Sequence, residues 1–358
     1  MGAYHGDMVS KHEHRQRPVI GLTMGDPLGI GPEIVVRALT DRRTLPDARF
    51  VVYGSNEILN LVADRVGVKP NWSRLPHDSQ RRNLAIEDPI VVLDYEQPET
   101  LLREEAGPSP AGGRLSYEFV EHAIADAMRL KDDPRHLDGI VTAPISKQAW
   151  SMVGSRFPGH TELITHRTRA KRSTMLFRSD KLTVALATAH VPLMDLRNTL
   201  TIGKVFDPID LGHRFLRDLG VEHPRIAVCG LNPHAGENGL LGDEDLRLIV
   251  PAIDMARNAD MDVHGPFPAD TLFISAARGD WDLVVAMYHD QGLIPVKLLG
   301  WRDAVNVTVG TSLVRTSPDH GTAYDIARRY QADPSSMISA IQLASRLAER
   351  RLLANREA

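Results

Sequence analysis

The sequence is poor in several features, and each shortage excludes a class of protein. Its single cysteine, Cys229, excludes an intramolecular disulfide and a zinc site built from several thiolates. No apolar run approaches the roughly 18 residues that a membrane-spanning helix needs. Its 42 basic and 46 acidic residues nearly balance, so no electrostatic footprint for nucleic acid or an anionic membrane is present. A small anionic ligand stays possible, because a local basic cluster can bind it.

The length and composition are those of a folded globular chain. Its 358 residues exceed the roughly 250–300 residues at which one hydrophobic core stops growing, so we expect two domains or one elaborated unit. Hydrophobic residues make up 42% and charged residues 25%, which excludes disordered, collagen-like and coiled-coil proteins. Residues 1–17 contain no apolar stretch, so we interpret them as a mobile tail without a secretory signal and expect a cytoplasmic protein.

Short β-branched runs alternate with helical patterns from Pro18 onward. This alternation predicts an α/β fold with a largely parallel sheet. An amphipathic C-terminal helix is predicted over Pro334–Leu353, whereas the glycines and prolines of Gly107–Gly113 predict a hinge or flexible loop. The predicted strands are Val19–Met24, Phe50–Tyr53, Ile90–Asp94, Gly139–Thr142, Leu182–Thr188, Arg225–Cys229, Leu283–Met287 and Val305–Val309.

Three histidines share one predicted position, just past the carboxyl end of a strand. His190, His234 and His289 follow three different strands, and ligands of open α/β sheets bind where such ends meet. A loop histidine is often structural or simply exposed, and that interpretation stays open for each of them. The alternative is a shared divalent-metal site, because neutral imidazole is a common zinc ligand.

Three other patterns have a structural and a functional interpretation. The run Gly25–Glu33 joins the first strand to a helix and is neither a G-x-G-x-x-G nor a Walker A motif, so it predicts a tight turn or a phosphate-binding loop. Lys297 and Arg315 lie near strand ends, where they would be solvated or would hold a phosphate or carboxylate. The acidic run Gly242–Asp245 opens a helix, which predicts a cap rather than a metal site.

Eight motifs in one order carry a resemblance to a known family. They are Gly21–Glu33, Thr142–Lys147, Pro158–Glu162, Ala189–Leu193, Asn232–Glu237, Gly265–Phe273, Met287–Gly292 and Arg315–Thr322. Over about residues 18–350 the sequence resembles the 4-hydroxythreonine-4-phosphate dehydrogenase family of pyridoxal phosphate biosynthesis. So many long motifs in one order do not arise by chance.

The resemblance implies roles for individual residues. His190, His234 and His289 match the family's divalent-metal ligands. The positions that match its substrate-binding residues are His160, Thr161, Lys297, Asn306 and Arg315. Asp270 and Asp290 match acidic positions beside that site, and with Lys297 they are the candidate catalytic residues. Asp290 has a second interpretation, as a partner that orients His289. No residue that contacts the dinucleotide is predicted.

The resemblance also implies an architecture. The family fold is similar to isocitrate and isopropylmalate dehydrogenases, with two α/β domains and the active site in the cleft between them. We expect a first domain over residues 18–147 and 291–358 and a second over 148–290. A homodimer with the active site near the subunit interface is expected, and NAD is expected to bind without a G-x-G-x-x-G loop.

The implied reaction is the metal- and NAD-dependent oxidation and decarboxylation of 4-phosphohydroxy-L-threonine, with zinc, magnesium or cobalt as the ion. One alternative is the same chemistry on D-erythronate or D-threonate 4-phosphate, or on a carboxylated cis-dihydrodiol, because Gly310–Val314 departs from the family's usual stretch before Arg315. Another alternative is a non-catalytic metal or nucleotide sensor. A sensor predicts loss of a metal histidine or of Lys297, and all four residues are present.

Overall fold

A computed structural model describes residues 17–44, 48–79, 88–97, 101 and 103–357 of the chain. Of the tail expected over residues 1–17, only Arg17 is among them, so that prediction lies outside the described residues. The described residues form one twelve-stranded sheet with helices packed against it. The predicted α/β fold class is therefore confirmed.

The strands are short, and most are apolar and buried. They are β1 (Val19–Thr23), β2 (Arg49–Gly54), β3 (Ser73–Pro76), β4 (Ile90–Asp94), β5 (Gly139–Thr142), β6 (Thr174–Arg178), β7 (Thr183–Leu186), β8 (Ile226–Cys229), β9 (Val263–Phe267), β10 (Leu283–Ala286), β11 (Val305–Val309) and β12 (Arg315–Pro318). Each of the eight predicted strands corresponds to one of these. Burial on both faces is typical of parallel strands covered by helices, which is why runs of β-branched residues identify them.

The helices connect these strands. They are α1 (Gly31–Thr40), α2 (Asn56–Val66), α3 (Pro110–Ala127), α4 (Lys147–Met152), α5 (His160–Arg167), α6 (Leu196–Thr199), α7 (Ile202–Asp218), α8 (Val250–Arg257), α9 (Ala269–Ala277), α10 (His289–Gly300) and α11 (Ser335–Glu357). A π-helical turn over Asp245–Ile249 leads into α8. Within the described ranges, no helix is long and apolar enough to cross a membrane.

The strand order in the sheet is β3-β4-β2-β1-β5-β12-β11-β6-β7-β10-β8-β9. β1 pairs in parallel with β2 and β5, and β10 pairs in parallel with β7 and β8. In the middle, β11 runs antiparallel to β12 and β6, and β6 runs antiparallel to β7. The division into domains at 147/148 and 290/291 stays a prediction. The pairing of β12 with β5 agrees with it, because both strands belong to the expected first domain.

Four strands were not predicted from the sequence, for two physical reasons. β3 and β9 lie at the two edges of the sheet, where a strand needs no continuous apolar run. β12 has the sequence Arg-Thr-Ser-Pro, and its polar side chains are buried by their tertiary surroundings. β6 (Thr174–Arg178) contains Met175 and Phe177, and only its pairing with β7 and β11 identifies it.

The expected hinge over Gly107–Gly113 is wrong in its second half, which is the start of α3. The Ser109 hydroxyl caps this helix by accepting a hydrogen bond from the Gly112 amide at 3.1 Å. Glycine is needed at 113 because a Cβ there would lie 2.2 Å from the carbonyl oxygen of Ala149 in α4. The glycines therefore permit close packing of two helices rather than a flexible loop.

The run Gly25–Glu33 is a tight turn that also holds a distant part of the chain. The Asp26 carboxylate accepts a hydrogen bond from the Tyr324 hydroxyl at 2.6 Å. Glu33, which is only 3% exposed, accepts one from the Ala332 amide at 2.9 Å. Both contacts fix the segment that follows β12, so the structural interpretation of this run is confirmed.

We expect Gly113→Ala to lower the free energy of unfolding by about 1–3 kcal/mol, because the new Cβ must displace the backbone of α4. The control is Gly107→Ala, where a Cβ meets nothing within 4 Å. Denaturant titration measures both. The opposite sign at position 113, a gain of up to about 1 kcal/mol from alanine's helix propensity, would contradict the packing interpretation.

Candidate active site

A cavity of about 410 Å³ lies where β5 and β12 end. Its walls come from the loop after β5, the first turn of α5, α10, and strands β6, β11 and β12. It contains seven of the ten site residues expected from the sequence: His160, Thr161, His190, His289, Lys297, Asn306 and Arg315. Residues far apart in the chain therefore meet at one edge of the sheet.

Arg315 is a buried cation without an anionic partner. Arg315 is only 2% exposed, and its guanidinium donates hydrogen bonds to two hydroxyl groups. Nε and Nη2 reach Thr142 Oγ1 at 3.2 and 2.8 Å, and Nη1 reaches Thr308 Oγ1 at 3.0 Å. Within the described residues no carboxylate forms an ion pair with it. Burial lowers the pKa of Arg315 to about 10, and the charge of Glu162, which lies beyond ion-pair distance, opposes this shift. An unpaired buried charge is costly, so the site is suited to an anionic ligand.

His160 and Asn306 each present an unused polar atom. His160 Nε2 and Asn306 Oδ1 are shielded from solvent and have no hydrogen-bond partner in the described part of the chain. Burial, with Arg315 and Lys147 nearby, holds the pKa of His160 well below its usual value, so this ring is neutral. The ring packs edge-to-face against Trp150 with centroids 5.5 Å apart. Buried polar atoms are normally hydrogen-bonded, so both are suited to contact a ligand.

Lys297 lies in the cavity and is paired with Asp319. Its Nζ donates to the carbonyl oxygen and to Oδ2 of Asp319, both at 2.8 Å. The Asp319 side chain is 14% exposed, and its burial raises the pKa of this carboxyl although Lys297 opposes the rise. Two of the three ammonium protons are thus occupied, and the third is available to a ligand.

Two of the three strand-end histidines come together. His190 follows β7 and His289 follows β10, which are adjacent parallel strands, and their ring centroids are 5.9 Å apart. Burial and Lys147 lower the pKa of His190, which favours the neutral imidazole that binds metals. The donor chemistry of the pair fits two ligands of a divalent ion such as zinc.

His234 follows β8, the next strand along, but it does not line the cavity. It is exposed, on the turn Pro233–Gly239. Within the residues described, no group of three or more histidine, cysteine, aspartate or glutamate side chains is placed to hold a metal ion. The adjacency of the three strand ends is as expected, whereas the assembly of three rings around one ion stays a prediction.

The turn that carries His234 has an unusual backbone that a buried carboxylate stabilises. His234, Ala235, Glu237 and Asn238 all have positive φ angles, between 43° and 55°. The Asp245 carboxylate, which is fully buried, accepts hydrogen bonds from the amides of Leu231 and Asn232 and from the Asn232 side chain, at 2.8–3.1 Å. The prediction that Gly242–Asp245 caps the following helix is therefore wrong, because no side chain caps that helix start and the Asp245 carboxylate binds the preceding loop instead.

The two predicted catalytic aspartates lie outside the cavity wall. Asp270 is exposed in the first turn of α9. The Asp290 side chain is 74% exposed, and its Oδ1 lies 2.8 Å from His289 Nδ1. The geometry favours the second interpretation of Asp290, in which the carboxylate orients the imidazole.

Four ionisable residues of the cavity received no role from the sequence, namely Lys147, Glu162, Asp319 and His320. Each lies inside one of the eight motifs, which was the only signal available. Residues of Gly310–Val314, expected to affect the substrate site, line a neighbouring cleft of about 620 Å³ that shares Arg315 with the cavity. This stretch does not itself line the cavity, and its effect on the substrate stays a prediction.

Comparison with known proteins supplies independent information. The family model described as "Pyridoxal phosphate biosynthetic protein PdxA" matches residues 47–344. The chain is 42% identical over 330 residues to 4-hydroxythreonine-4-phosphate dehydrogenase of Desulforapulum autotrophicum, covering 92% of this chain and 95% of that one. It is 43% identical over 332 residues to D-threonate 4-phosphate dehydrogenase of Salmonella typhimurium, covering 92% and 98%.

A solved structure agrees with these sequence matches. The crystal structure of 4-hydroxythreonine-4-phosphate dehydrogenase from Klebsiella pneumoniae superposes with a TM-score of 0.79 at 37% identity, covering 94% of this chain and 99% of that one. The similarity therefore extends over the whole fold rather than one motif.

We expect Asp245→Ala to lower the free energy of unfolding by about 2–4 kcal/mol, because three partly buried donors lose their fully buried acceptor. The control is Asp243→Ala in the same acidic run, whose pair with Arg247 is exposed and should contribute less than about 1 kcal/mol. Denaturant titration of both variants measures the difference. Equal stabilities would show that Asp245 does not stabilise the turn.

Proposed function

The chain belongs to the PdxA family of pyridoxal phosphate biosynthetic proteins and is a dehydrogenase, and from this premise we propose its substrate and its mechanism. The proposed substrate is 4-phosphohydroxy-L-threonine, oxidised with NAD and decarboxylated to 3-amino-2-oxopropyl phosphate, CO₂ and NADH. The observation that supports a phosphorylated substrate is the buried guanidinium of Arg315, which has no carboxylate partner in the described structure. The anionic substrate supplies the missing counter-charge.

D-Threonate 4-phosphate is the second candidate substrate. Relatives named for it and for 4-hydroxythreonine-4-phosphate are about equally similar to this chain, at 43% and 42% identity. The two compounds share a carboxylate, a phosphate and a hydroxyl on carbon 3, and they differ on carbon 2, which carries an ammonium or a hydroxyl. Arg315, His160 and Asn306 can bind the carboxylate, phosphate and hydroxyl that both compounds share. Only measured rates can therefore distinguish the two candidate substrates.

One divalent metal ion per chain, zinc or alternatively magnesium or cobalt, belongs to the proposal. His190 and His289 would hold it, with His234 as the third ligand from the neighbouring strand or from the partner subunit's copy of that loop. When bound, such an ion supplies Lewis-acid stabilisation of negative charge on the substrate oxygen, both in oxidation and in decarboxylation. Asp290 Oδ1 accepts a hydrogen bond from the Nδ1–H of His289, which would leave Nε2 as the ligand atom.

The remaining residues bind the substrate and handle its proton. Arg315, His160 and Thr161 bind the phosphate at the end of the cavity formed by β12 and α5. Lys297 lies between the cavity and Asp319, so it takes the hydroxyl proton as its own proton passes to the Asp319 carboxylate. Burial raises the pKa of Asp319, which makes this carboxylate a better proton acceptor.

A second, smaller cavity supports a position for the nicotinamide cofactor. It measures about 220 Å³ and shares Asp319 and His320 with the substrate cavity, and its walls include apolar residues such as Ile30, Ala323 and Ile326. A flat aromatic ring fits such a pocket. His320 Nδ1 donates to Gly321 O at 3.0 Å, which leaves its buried Nε2 as an unused acceptor for a ribose hydroxyl. We therefore place NAD across the two cavities.

A homodimer with the active site near the interface completes the proposal. Large exposed apolar side chains follow each of the three histidines along the chain. They are Leu193 (61% exposed) and Met194 (88%), then Leu240 (80%) and Leu241 (44%), then Ile294 (58%) and Leu298 (79%). Exposed apolar groups concentrated around a polar site are typical of a protein interface. The proposal also keeps the expected cytoplasmic location, because the reaction consumes NAD.

We expect 4-phosphohydroxy-L-threonine to be oxidised with release of NADH. D-Threonate 4-phosphate is assayed alongside it as the comparison substrate. For unphosphorylated 4-hydroxy-L-threonine we expect kcat/KM to fall by about 10- to 150-fold or more, because the ion pair with Arg315 is lost. NADH absorbance measures each reaction, with NADP as a parallel arm. Equal rates for the phosphorylated and unphosphorylated compounds would contradict the substrate assignment, and a higher kcat/KM for D-threonate 4-phosphate would select the second candidate.

Alanine at His190, at His289 or at His234 should reduce the bound divalent metal from one ion per chain to nearly none, because each removes one of three ligands. The matched control is His264→Ala, an exposed histidine that pairs with Asp262 far from the cavity. Elemental analysis of dialysed protein gives the metal content without an activity assay. Full metal content in the His234 variant would leave only the two cavity histidines as ligands.

A further inference from the structure

Lys147 is a cavity residue to which neither the motifs nor the proposed mechanism gives a role. It is the first residue of α4 and lines the substrate cavity. The residues that the structure describes offer it no hydrogen bond or ion pair. Its side chain extends toward the turn before α5, because a Cβ on Gly159 would lie 3.7 Å from Lys147 Cε. A lysine in this position faces a ligand site rather than a structural partner.

The other two cavity cations differ from Lys147 in their charge balance. Lys297 is neutralised by Asp319 at 2.8 Å. Arg315 is fixed by threonine hydroxyls and keeps its full charge. Glu162 also lies in the cavity, where its charge acts on Arg315 and its Oε2 lies beside the same turn as Lys147 Cε, but it is not within ion-pair distance of either cation. In the part of the chain that the structure describes, Lys147 and Arg315 are therefore the two cations of this cavity that form no ion pair.

Lys147 and Arg315 both lie near His160, at the same end of the cavity. Both lie close enough to His160 to lower the pKa of its imidazole, whose Nε2 has no partner. His160 and Thr161 form the first turn of α5, which Lys147 approaches across Gly159. The two cations, the imidazole and the threonine hydroxyl thus surround one end of the cavity.

We propose that Lys147 is the second cation of a phosphate subsite in which Arg315 is the first. A phosphate monoester carries close to two negative charges at neutral pH, and one guanidinium balances only one of them. An exposed lysine beside a buried arginine held by hydroxyl groups gives such a site one adaptable and one fixed contact. The inference rests on the proposed phosphorylated substrate and adds a residue that determines its binding.

The test uses inorganic phosphate as the probe and three variants of the full chain. Lys147→Met removes the charge and keeps most of the apolar stem, and Lys147→Arg restores the charge. Gln148→Met is the matched control, because Gln148 is the exposed neighbour on the same helical turn and does not line the cavity. Titration calorimetry measures phosphate affinity, and steady-state kinetics with the phosphorylated substrate measures KM and kcat separately.

We expect Lys147→Met to weaken phosphate binding about 10-fold or more and to raise KM by a similar factor, with kcat changed less than about twofold. Lys147→Arg should recover most of the affinity, and Gln148→Met should match the original chain. This pattern distinguishes a binding cation from a group that acts in the chemical step, whose loss lowers kcat.

Three results would overturn the proposal: unchanged phosphate affinity in Lys147→Met, a lower kcat with unchanged KM, or no measurable phosphate binding by the original chain. The calorimetric arm needs no turnover, so it separates this proposal from the proposed function. If neither phosphorylated compound is oxidised while phosphate still binds in a Lys147-dependent way, the substrate assignment fails and the phosphate subsite stands.

Discussion

The buried guanidinium of Arg315 is the constraint on which the rest of the site depends. Three strands that are adjacent in the sheet hold it, because Thr142 ends β5, Thr308 lies in β11 and Arg315 itself begins β12. Neutral hydroxyls orient the group without cancelling its charge. A buried charge without an ion-pair partner is costly, so this position in the centre of the sheet favours an anionic ligand in the cavity.

The segment after β12 depends on the other end of the chain. It carries Asp319 and His320, which border both the substrate cavity and the apolar pocket. The carboxylates of Asp26 and Glu33 hold this segment in place through buried hydrogen bonds nearly 300 residues away in sequence. The glycine-rich turn thus contributes to the site indirectly, by fixing the loop that contacts the ligand.

The histidine side of the cavity follows from parallel strand pairing. β7, β10 and β8 lie side by side, so the residues that follow them reach the same edge of the sheet. His190 and His289 meet there, whereas the left-handed turn before α8 exposes His234. The buried carboxylate of Asp245 stabilises that turn, so the exposed position of His234 is a defined feature of the fold. The exposed position of His234 among exposed apolar side chains supports the proposal of a site shared between two subunits.

The sequence alone determined the fold class, eight of the strands and seven residues of the cavity wall, because β-branched runs and ordered motifs are local properties of the chain. Local pattern does not identify strands whose burial depends on neighbours, and β12, with Arg315 buried among polar residues, is the clearest case. Nor does it show which charges are paired. Lys297 and Lys147 are both lysines within or near a motif, yet Asp319 forms an ion pair with the first and no described residue forms one with the second. Charge compensation depends on distances between residues remote in the chain, so only the tertiary structure decided it.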